Sequence, residues 1–352
     1  MHYNEEWSDF VSLDIEDKLA KFCLNNKLFD IIYAQQFDKN FLEEIFVLAD
    51  KIRSIAKTYN GLIFLRSLLA DKRAMLFFVQ PSTRTFMSFL NACHILGLQT
   101  TEIRDSSTSS EIKGESSEDS IQTFSSYVDL IITRHFNEGF AEKSAWVLNT
   151  HAKRSVPVIN GGSGKDQHPT QALLDIYTIN RAFKNLGGIE NKTYVMVGDL
   201  KRGRTVRSLT YLLALYQNIN LIFVAPKNFT MQQDVLDFLD KNKIKYKTTD
   251  NFEESIKIAD AIYMTRIQDE HDTENESTKY NLDNFCLKES HLSTLKKDAI
   301  IMHPFPRRNE IEVMVDKDKR ALYWKQARNG MWIRAALILY LFNREHWIDN
   351  YI

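Results

Sequence analysis

Apolar residues in this chain fall into two rhythms, and the points where one gives way to the other recur along it. Ala74-Met75-Leu76-Phe77-Phe78-Val79 is a continuous apolar run of buried-strand length, closed by Gln80-Pro81. After it, Phe86, Phe89, Leu90 and Cys93 return at helical spacing until Gly97 ends the pattern, which predicts a strand, a turn and an amphipathic helix. The switch then repeats. Residues 128–133 run into Arg134, 156–159 into Asn160-Gly161-Gly162, 194–197 into Gly198-Asp199, 261–265 into Arg266 and 299–302 into His303. Strands alternating with helical stripes from about 74 to 320 spell parallel βαβ units. The expected fold is α/β, with two doubly wound parallel-sheet domains joined by helices.

The flanks differ from this middle. Residues 1–60 are charged and read as helical, with a stripe of Phe41, Ile45, Phe46, Ala49 and Ile52, and the first strand is expected only after them. The first thirty or so read as an appended element whose role the pattern does not give. Residues 105–117 are rich in hydroxyls and interrupt the alternation; they read either as a surface linker or as a mobile lid bringing Lys113 to an anion. A second polar stretch, Asp269 to Tyr280, lacks an apolar stripe and is expected to be a loop. A helix carrying Leu173, Ile176 and Tyr177 connects the halves, and Met331, Ile333, Ala335, Leu337, Ile338 and Leu341 mark a packed helix near the end. One domain is therefore expected over residues 1–178, with its extension at 1–30 and a closing C-terminal helix from 323–352; the other covers 179–322. No internal repeat is visible.

Composition narrows the class. At 352 residues the chain can hold two cores, and its formal net charge of -1 offers no basic surface for nucleic acid or anionic membrane. No apolar run approaches the ~20 residues that a bilayer requires. Glu5, Glu6, Asp9 and Asp14 do not fit a secretory signal, and Cys23, Cys93 and Cys286 are scattered and not in metal-ligand spacing, so a reduced, cytoplasmic location is expected. No metal or organic cofactor is implied.

The turn after the first strand carries chemistry. Ser82-Thr83-Arg84-Thr85 puts hydroxyls, backbone N–H groups and a guanidinium at a helix N-terminus, where the dipole and the unpaired amides favour a phosphate. An ordinary Ser/Thr cap with a solvated Arg is the plainer alternative. Arg84, Arg134, Arg204, Arg266 and His303 all follow strands, and in open α/β sheets ligands bind beyond the carboxyl ends of strands. One such Arg is ordinary surface; five basic exits point to an anionic ligand.

Ser82-Thr83-Arg84-Thr85, His168-Pro169-Thr170-Gln171, Gly198-Asp199-Leu200-Lys201-Arg202-Gly203-Arg204-Thr205, Met264-Thr265-Arg266-Ile267-Gln268 and His303-Pro304-Phe305-Pro306-Arg307 occur in that order. This ordered set resembles the catalytic chain of the aspartate carbamoyltransferase family, within the aspartate/ornithine carbamoyltransferase superfamily, over roughly residues 30–345. The resemblance implies transfer of a carbamoyl group from carbamoyl phosphate to L-aspartate, a step of de novo pyrimidine biosynthesis. The first domain would then bind carbamoyl phosphate and the second aspartate.

By the same resemblance, Ser82, Thr83, Arg84 and Thr85 hold the phosphate. Thr85, Arg134 and His168 face the carbamoyl oxygen and Gln171 holds the carbamoyl amine. Arg204 binds the α-carboxylate region of aspartate, and Arg266 with Gln268 its side-chain carboxylate. Pro304 and Phe305 offer backbone carbonyls to the incoming amine. Ser109 and Lys113 match a mobile loop that reaches a neighbouring subunit's site, which implies a homotrimer with shared sites and leaves open a regulatory or partner enzyme chain. Physical sense accompanies these roles: two carboxylates suit Arg forks, Pro169 suits the first helical position, and His168 and Gln171, three apart on either side of it, can address one ligand.

The pattern departs in places. Gln80 stands where relatives commonly carry an acid that supports the closed form, and His271 where several carry a basic residue, so aspartate affinity is expected to be reduced. Phe86 and Leu90 replace an Arg and a Glu, which predicts an apolar contact in place of an ion pair, and Phe305 replaces a Leu. An ornithine carbamoyltransferase is the nearest competitor, but the chain lacks that enzyme's His-Cys-Leu-Pro and Ser-Met-Gly stretches, and Arg266 would repel ornithine's ammonium. A non-catalytic assembly subunit is the other alternative, opposed by the full set of cations. A dinucleotide-binding dehydrogenase is weaker still, because Gly198-Asp199-Leu200-Lys201 is not a Gly-x-Gly-x-x-Gly turn.

Overall fold

The structure, a computed structural model, describes residues 6–105, 114–152, 154–164, 167–266 and 282–351. Contacts divide the chain into two compact units, Met1–Leu173 with Gly330–Ile352, and Leu174–Asn329. The divisions fall inside two helices, where sequence reasoning placed them after 178 and 322.

The first unit opens with α1 (Trp7–Ser12) and α2 (Ile15–Lys21), then a small antiparallel hairpin of β1 (Cys23–Leu24) and β2 (Lys27–Leu28). This corrects the expectation of helices alone before the first long strand. Asn25 and Asn26 make the turn with φ of 53° and 60°, the left-handed pair that closes a two-residue hairpin. Next come α3 (Lys39–Ile55), α4 (Tyr59–Ser67), β3 (Arg73–Phe78), α5 (Thr83–Leu96), β4 (Gln99–Ile103), α6 (Ser117–Ser125), β5 (Leu130–Arg134), α7 (Phe140–Thr150), β6 (Val158–Asn160) and α8 (Pro169–Phe183). The sheet is parallel in the order β4-β3-β5-β6, and Ile31 bridges to Ile159 at its edge.

β3 lies between β4 and β5, so apolar side chains point from both its faces. Phe77 packs into a cluster with Ile131, Phe140 and Trp146, while Phe78 faces Phe86 and Phe89 of α5, with ring centroids 5.5 and 6.5 Å away. Phe86 has a second partner, the Arg104 guanidinium 4.1 Å from its ring centroid, so its apolar setting includes a cation not foreseen from Leu90. The appended N-terminal element belongs to the same core. Trp7 lies against Phe10 and Trp146 at 5.5 and 5.3 Å, and Phe10 and Phe22 are buried with Trp146.

The second unit runs β7 (Thr193–Val197), α9 (Arg204–Leu213), β8 (Asn220–Val224), α10 (Gln233–Lys241), β9 (Lys245–Thr249), α11 (Phe252–Lys257), β10 (Ala261–Met264) and β11 (Ile300–Met302), in a parallel sheet of order β11-β10-β7-β8-β9. Val195, Val197, Ile222, Ile262, Met264 and Ile301 share its core with Phe252 and Ile256 of α11. α12 (Tyr323–Leu341) then carries the chain back into the first unit.

Candidate active site

Each sheet reverses its winding once, and the candidate residues gather at those reversals. In the first unit α5 carries the chain from β3 outward to β4, and β5 then lies on the other side of β3. A crevice opens beyond the carboxyl ends of strands at such a switch point. The 80–85 turn leaves β3, Arg134 ends β5 and the 160–168 loop leaves β6. Gln80 N–H donates to Arg134 O at 3.2 Å and Gly161 N–H to Thr133 O at 2.7 Å, so the three exits are tied together.

Ser82 is the N-cap of α5, yet its hydroxyl makes no capping bond, unlike Asp38 of α3, Thr58 of α4 and Ser116 of α6. The plainer capping alternative therefore fails at this helix. Ser82 is half-buried and Thr83 and Arg84 are exposed, whereas Thr85 is buried. Thr85 Oγ1 lies 3.5 Å from His168 Nε2.

Arg134, 9% exposed, donates through Nη1 to Gly161 O at 3.1 Å. Gly162 follows with φ +99°, and a Cβ there would lie 2.8 Å from Arg134 Nη1 and 2.7 Å from His168 Cδ2. Only a residue without a side chain lets the guanidinium and the imidazole approach the same backbone point. Asn160, buried at the end of β6, shapes this turn by accepting from Gly162 N–H and Ser163 N–H at 2.8 and 2.9 Å. Gln171, also buried, donates its N–H to His168 O at 3.0 Å in the first turn of α8.

One cation here escaped the sequence reading. Arg334 of α12 is 2% exposed, lies 4.6 Å from the Phe89 ring centroid and donates to Thr170 Oγ1. A single Arg inside an apolar stripe was its only signal.

In the second unit the reversal lies between β7 and β10. Gly198, with φ +116°, leaves β7 at a point where a Cβ would stand 2.2 Å from Thr265 O. Thr265 is held from the other direction, its N–H and Oγ1 both donating to Val197 O at 2.8 and 2.9 Å. Arg266 follows it, half-buried, and Arg204 begins α9, so both guanidinium groups leave neighbouring strand ends. Asp199, fully buried, accepts from Arg202 N–H at 3.0 Å and shapes the turn before Arg204.

His303 is a correction. The sequence reading counted it among five cations facing an anion. Its Nδ1 accepts the Phe305 N–H at 2.7 Å and therefore carries no proton, while Nε2 meets Glu310 Oε1 at 2.6 Å. The ring is a brace for the Pro304-Phe305 main chain, with Phe305 held at φ +58°. Glu310 Oε1 also accepts the Arg308 N–H at 3.1 Å, so the carboxylate that meets the ring is itself held in place.

Ser109, Lys113, Gln268 and His271 lie outside the described residues. Among the described residues no group of three or more His, Cys, Asp or Glu is placed to hold a metal ion, and no helix is long and apolar enough to cross a membrane.

The comparisons with known proteins follow the same two-part division. Residues 30–181 match the carbamoyl-P binding domain of aspartate/ornithine carbamoyltransferase, and residues 190–341 its Asp/Orn binding domain. The chain is 41% identical over 317 residues to the chloroplastic aspartate carbamoyltransferase of Oryza sativa subsp. japonica, covering 89% of this chain and 84% of that protein. The catalytic subunit of M. jannaschii aspartate transcarbamoylase superposes with a TM-score of 0.79 at 34% identity, covering 90% of this chain and 98% of that one. Aspartate transcarbamoylase from Trypanosoma cruzi, in complex with carbamoyl phosphate and aspartate, gives a TM-score of 0.79 at 32% identity, covering 88% of this chain and 95% of that one. With both halves matched and the basic exits in place, the chain belongs to the aspartate/ornithine carbamoyltransferase family.

Proposed function

We infer that the chain transfers the carbamoyl group of carbamoyl phosphate to the amino group of L-aspartate, giving N-carbamoyl-L-aspartate and phosphate, a step of de novo pyrimidine synthesis. The convergence of Thr85, Arg134 and His168 beside the uncapped N-terminus of α5 carries this reading. A dianionic phosphate with an adjoining carbonyl fits that arrangement: Ser82, Thr83, Arg84 and Thr85 take the phosphate, Thr85, Arg134 and His168 take the carbonyl oxygen, and Gln171 takes the carbamoyl amine.

The amine of aspartate attacks the carbonyl carbon and the π pair moves onto oxygen. That oxygen gains charge only on the way to the tetrahedral intermediate, so donors fixed in advance lower the barrier; removal of one such donor typically costs a factor of ~100–1,000 in rate. The C–O bond then breaks with its electron pair leaving on phosphate, which also takes the proton released by the amine. On the acceptor side, Arg204 receives the α-carboxylate, Arg266 with Gln268 the side-chain carboxylate, and Pro304 and Phe305 offer carbonyls to the amine. Ser109 and Lys113 complete the site from a neighbouring subunit of a homotrimer, and the scattered positions of Cys23, Cys93 and Cys286 along the chain favour a reducing, cytoplasmic setting.

Labelled carbamoyl phosphate offered to the purified chain with aspartate, and separately with ornithine, tests the chemistry. Labelled N-carbamoyl-aspartate is expected; labelled citrulline, or no product, overturns the reading. Mixing Lys113→Ala and Arg84→Ala chains tests the shared site, since each is inactive alone and mixed trimers recover activity.

A further inference from the structure

The acceptor-binding exits of the second unit are joined by a buried polar chain that starts at one carboxylate. Asp175, on α8, is fully buried. Tyr263 Oη donates to its Oδ2 at 2.6 Å, and Gln326 Nε2, from α12, donates to its Oδ1 at 2.6 Å. The orientation of the Gln326 amide is not free: its Oε1 accepts the His303 N–H at 2.9 Å, which leaves the NH₂ end facing Asp175. His303 in turn accepts the Phe305 N–H through Nδ1.

One carboxylate therefore has two branches. The first reaches Tyr263, three residues before Arg266 on β10. The second passes through Gln326 and His303 to the Pro304-Phe305 main chain that leaves β11. The strands are neighbours, with Tyr263 paired to Met302. Burying a carboxylate is costly where an apolar residue would fill the same space, so an acid at this position makes sense for the geometry it imposes. Its oxygens take donors from two other elements, fixing the rotation of the Tyr263 ring and of the Gln326 amide together.

We propose that Asp175 is a positioning residue for the acceptor half of the reaction, holding Arg266 and the Phe305 backbone in the geometry that receives the dicarboxylic substrate. This rests on the carbamoyl-transfer reading for its kinetic consequence but not for its structural one. Asp175 touches no substrate; it acts through Tyr263 and through Gln326 and His303.

The test compares Tyr263→Phe, Gln326→Leu and Asp175→Asn with the parent chain by steady-state kinetics and by amide hydrogen exchange. Tyr263→Phe deletes one oxygen and keeps the ring packing, so it stays informative if the Asp175 variant folds poorly. The KM for aspartate is expected to rise about 5–10-fold in Tyr263→Phe, and further in Asp175→Asn, with the KM for carbamoyl phosphate within twofold of the parent. The Phe305 amide should exchange at least tenfold faster in Asp175→Asn and in Gln326→Leu. A KM that moves equally for both substrates, or a Phe305 amide whose exchange is unchanged in both variants, overturns the proposal. If the parent chain forms no carbamoyl-aspartate, the functional reading fails by itself, and the exchange rates still decide whether Asp175 positions this segment.

Discussion

Arg134 and His168 approach the same glycine: a Cβ on Gly162 would lie 2.8 Å from the guanidinium Nη1 of one and 2.7 Å from the imidazole Cδ2 of the other. Gly162→Ala must therefore displace one side chain or move the turn, and it adds the strain of a left-handed backbone at φ +99°. The expected result is a fall in kcat of at least ~100-fold, comparable to loss of a charge-stabilising donor, with a stability cost of roughly 1–3 kcal/mol. Steady-state kinetics beside denaturant unfolding check both. A variant with unchanged kcat would show that the convergence has no catalytic consequence.

Arg266 follows Thr265, whose backbone is clamped to Val197 O, so its starting point is fixed by the sheet. A carboxylate in front of it can be held by two parallel N–H donors, which a lysine ammonium cannot reproduce. Arg266→Lys keeps the charge and is expected to lower kcat/KM for aspartate by about 100-fold, roughly 3 kcal/mol, while the KM for carbamoyl phosphate stays near its parent value. Equal losses for the two substrates would move Arg266 away from the acceptor.

How far such features could be read from sequence depended on their surroundings. β3 and β7 were legible because neighbours on both sides leave only apolar residues on either face, as Phe77 and Phe78 show. β4 and β9 were not: they are edge strands whose side chains are mostly exposed, so Thr100, Glu102, Lys245 and Lys247 give no apolar run. The β1–β2 hairpin had one signal, Asn25-Asn26, inside a stretch that otherwise reads as helical. The exits Ser82 to Thr85, Arg134 and Arg266 could be placed because sheet topology dictates where strands end. The role of His303 could not, since spacing does not say which way an imidazole turns. Asp175 and Arg334 were hidden inside apolar helical stripes, where only tertiary packing reveals their partners.

The N-terminal element had no role in the sequence, and packing supplies one. Phe10 is 1% exposed, stacked on Trp7 and edge-on to Phe22 at 5.9 Å, in the cluster that holds Trp146 and Phe140 against the sheet. Lys18 adds an ion pair to Glu142 of α7 at 3.3 Å. Truncating a buried aromatic leaves a cavity that usually costs 3–5 kcal/mol, so Phe10→Ala should destabilise by about 3 kcal/mol. Urea unfolding followed by tryptophan fluorescence reads this directly. A loss below ~1 kcal/mol would show that the extension lies on the core without contributing to it.

Asp30 makes stability depend on pH in a direction opposite to most carboxylates. The side chain is fully buried beside β6, accepting from Val158 N–H and Asn149 Nδ2, both at 2.8 Å. Burial outweighs these two bonds and pushes its carboxyl up to about 7. In an unfolded chain the same group titrates near ~4, so between about pH 4 and 7 the folded chain keeps a proton that the unfolded chain has lost. Unfolding then releases that proton, and stability falls as pH rises through this window. Asp30→Asn removes the titration while keeping a neutral side chain of similar size. The stability difference between variant and parent should shift in favour of the variant by roughly 2–4 kcal/mol from pH 4 to pH 8, because one pH unit over such a window is worth about 1.4 kcal/mol. The Cys23 thiol, which burial and the Asp30 charge push up, titrates above this range, so the difference curve isolates the Asp30 carboxyl. Curves that run parallel across the range would mean that Asp30 is ionised throughout and held by its two donors.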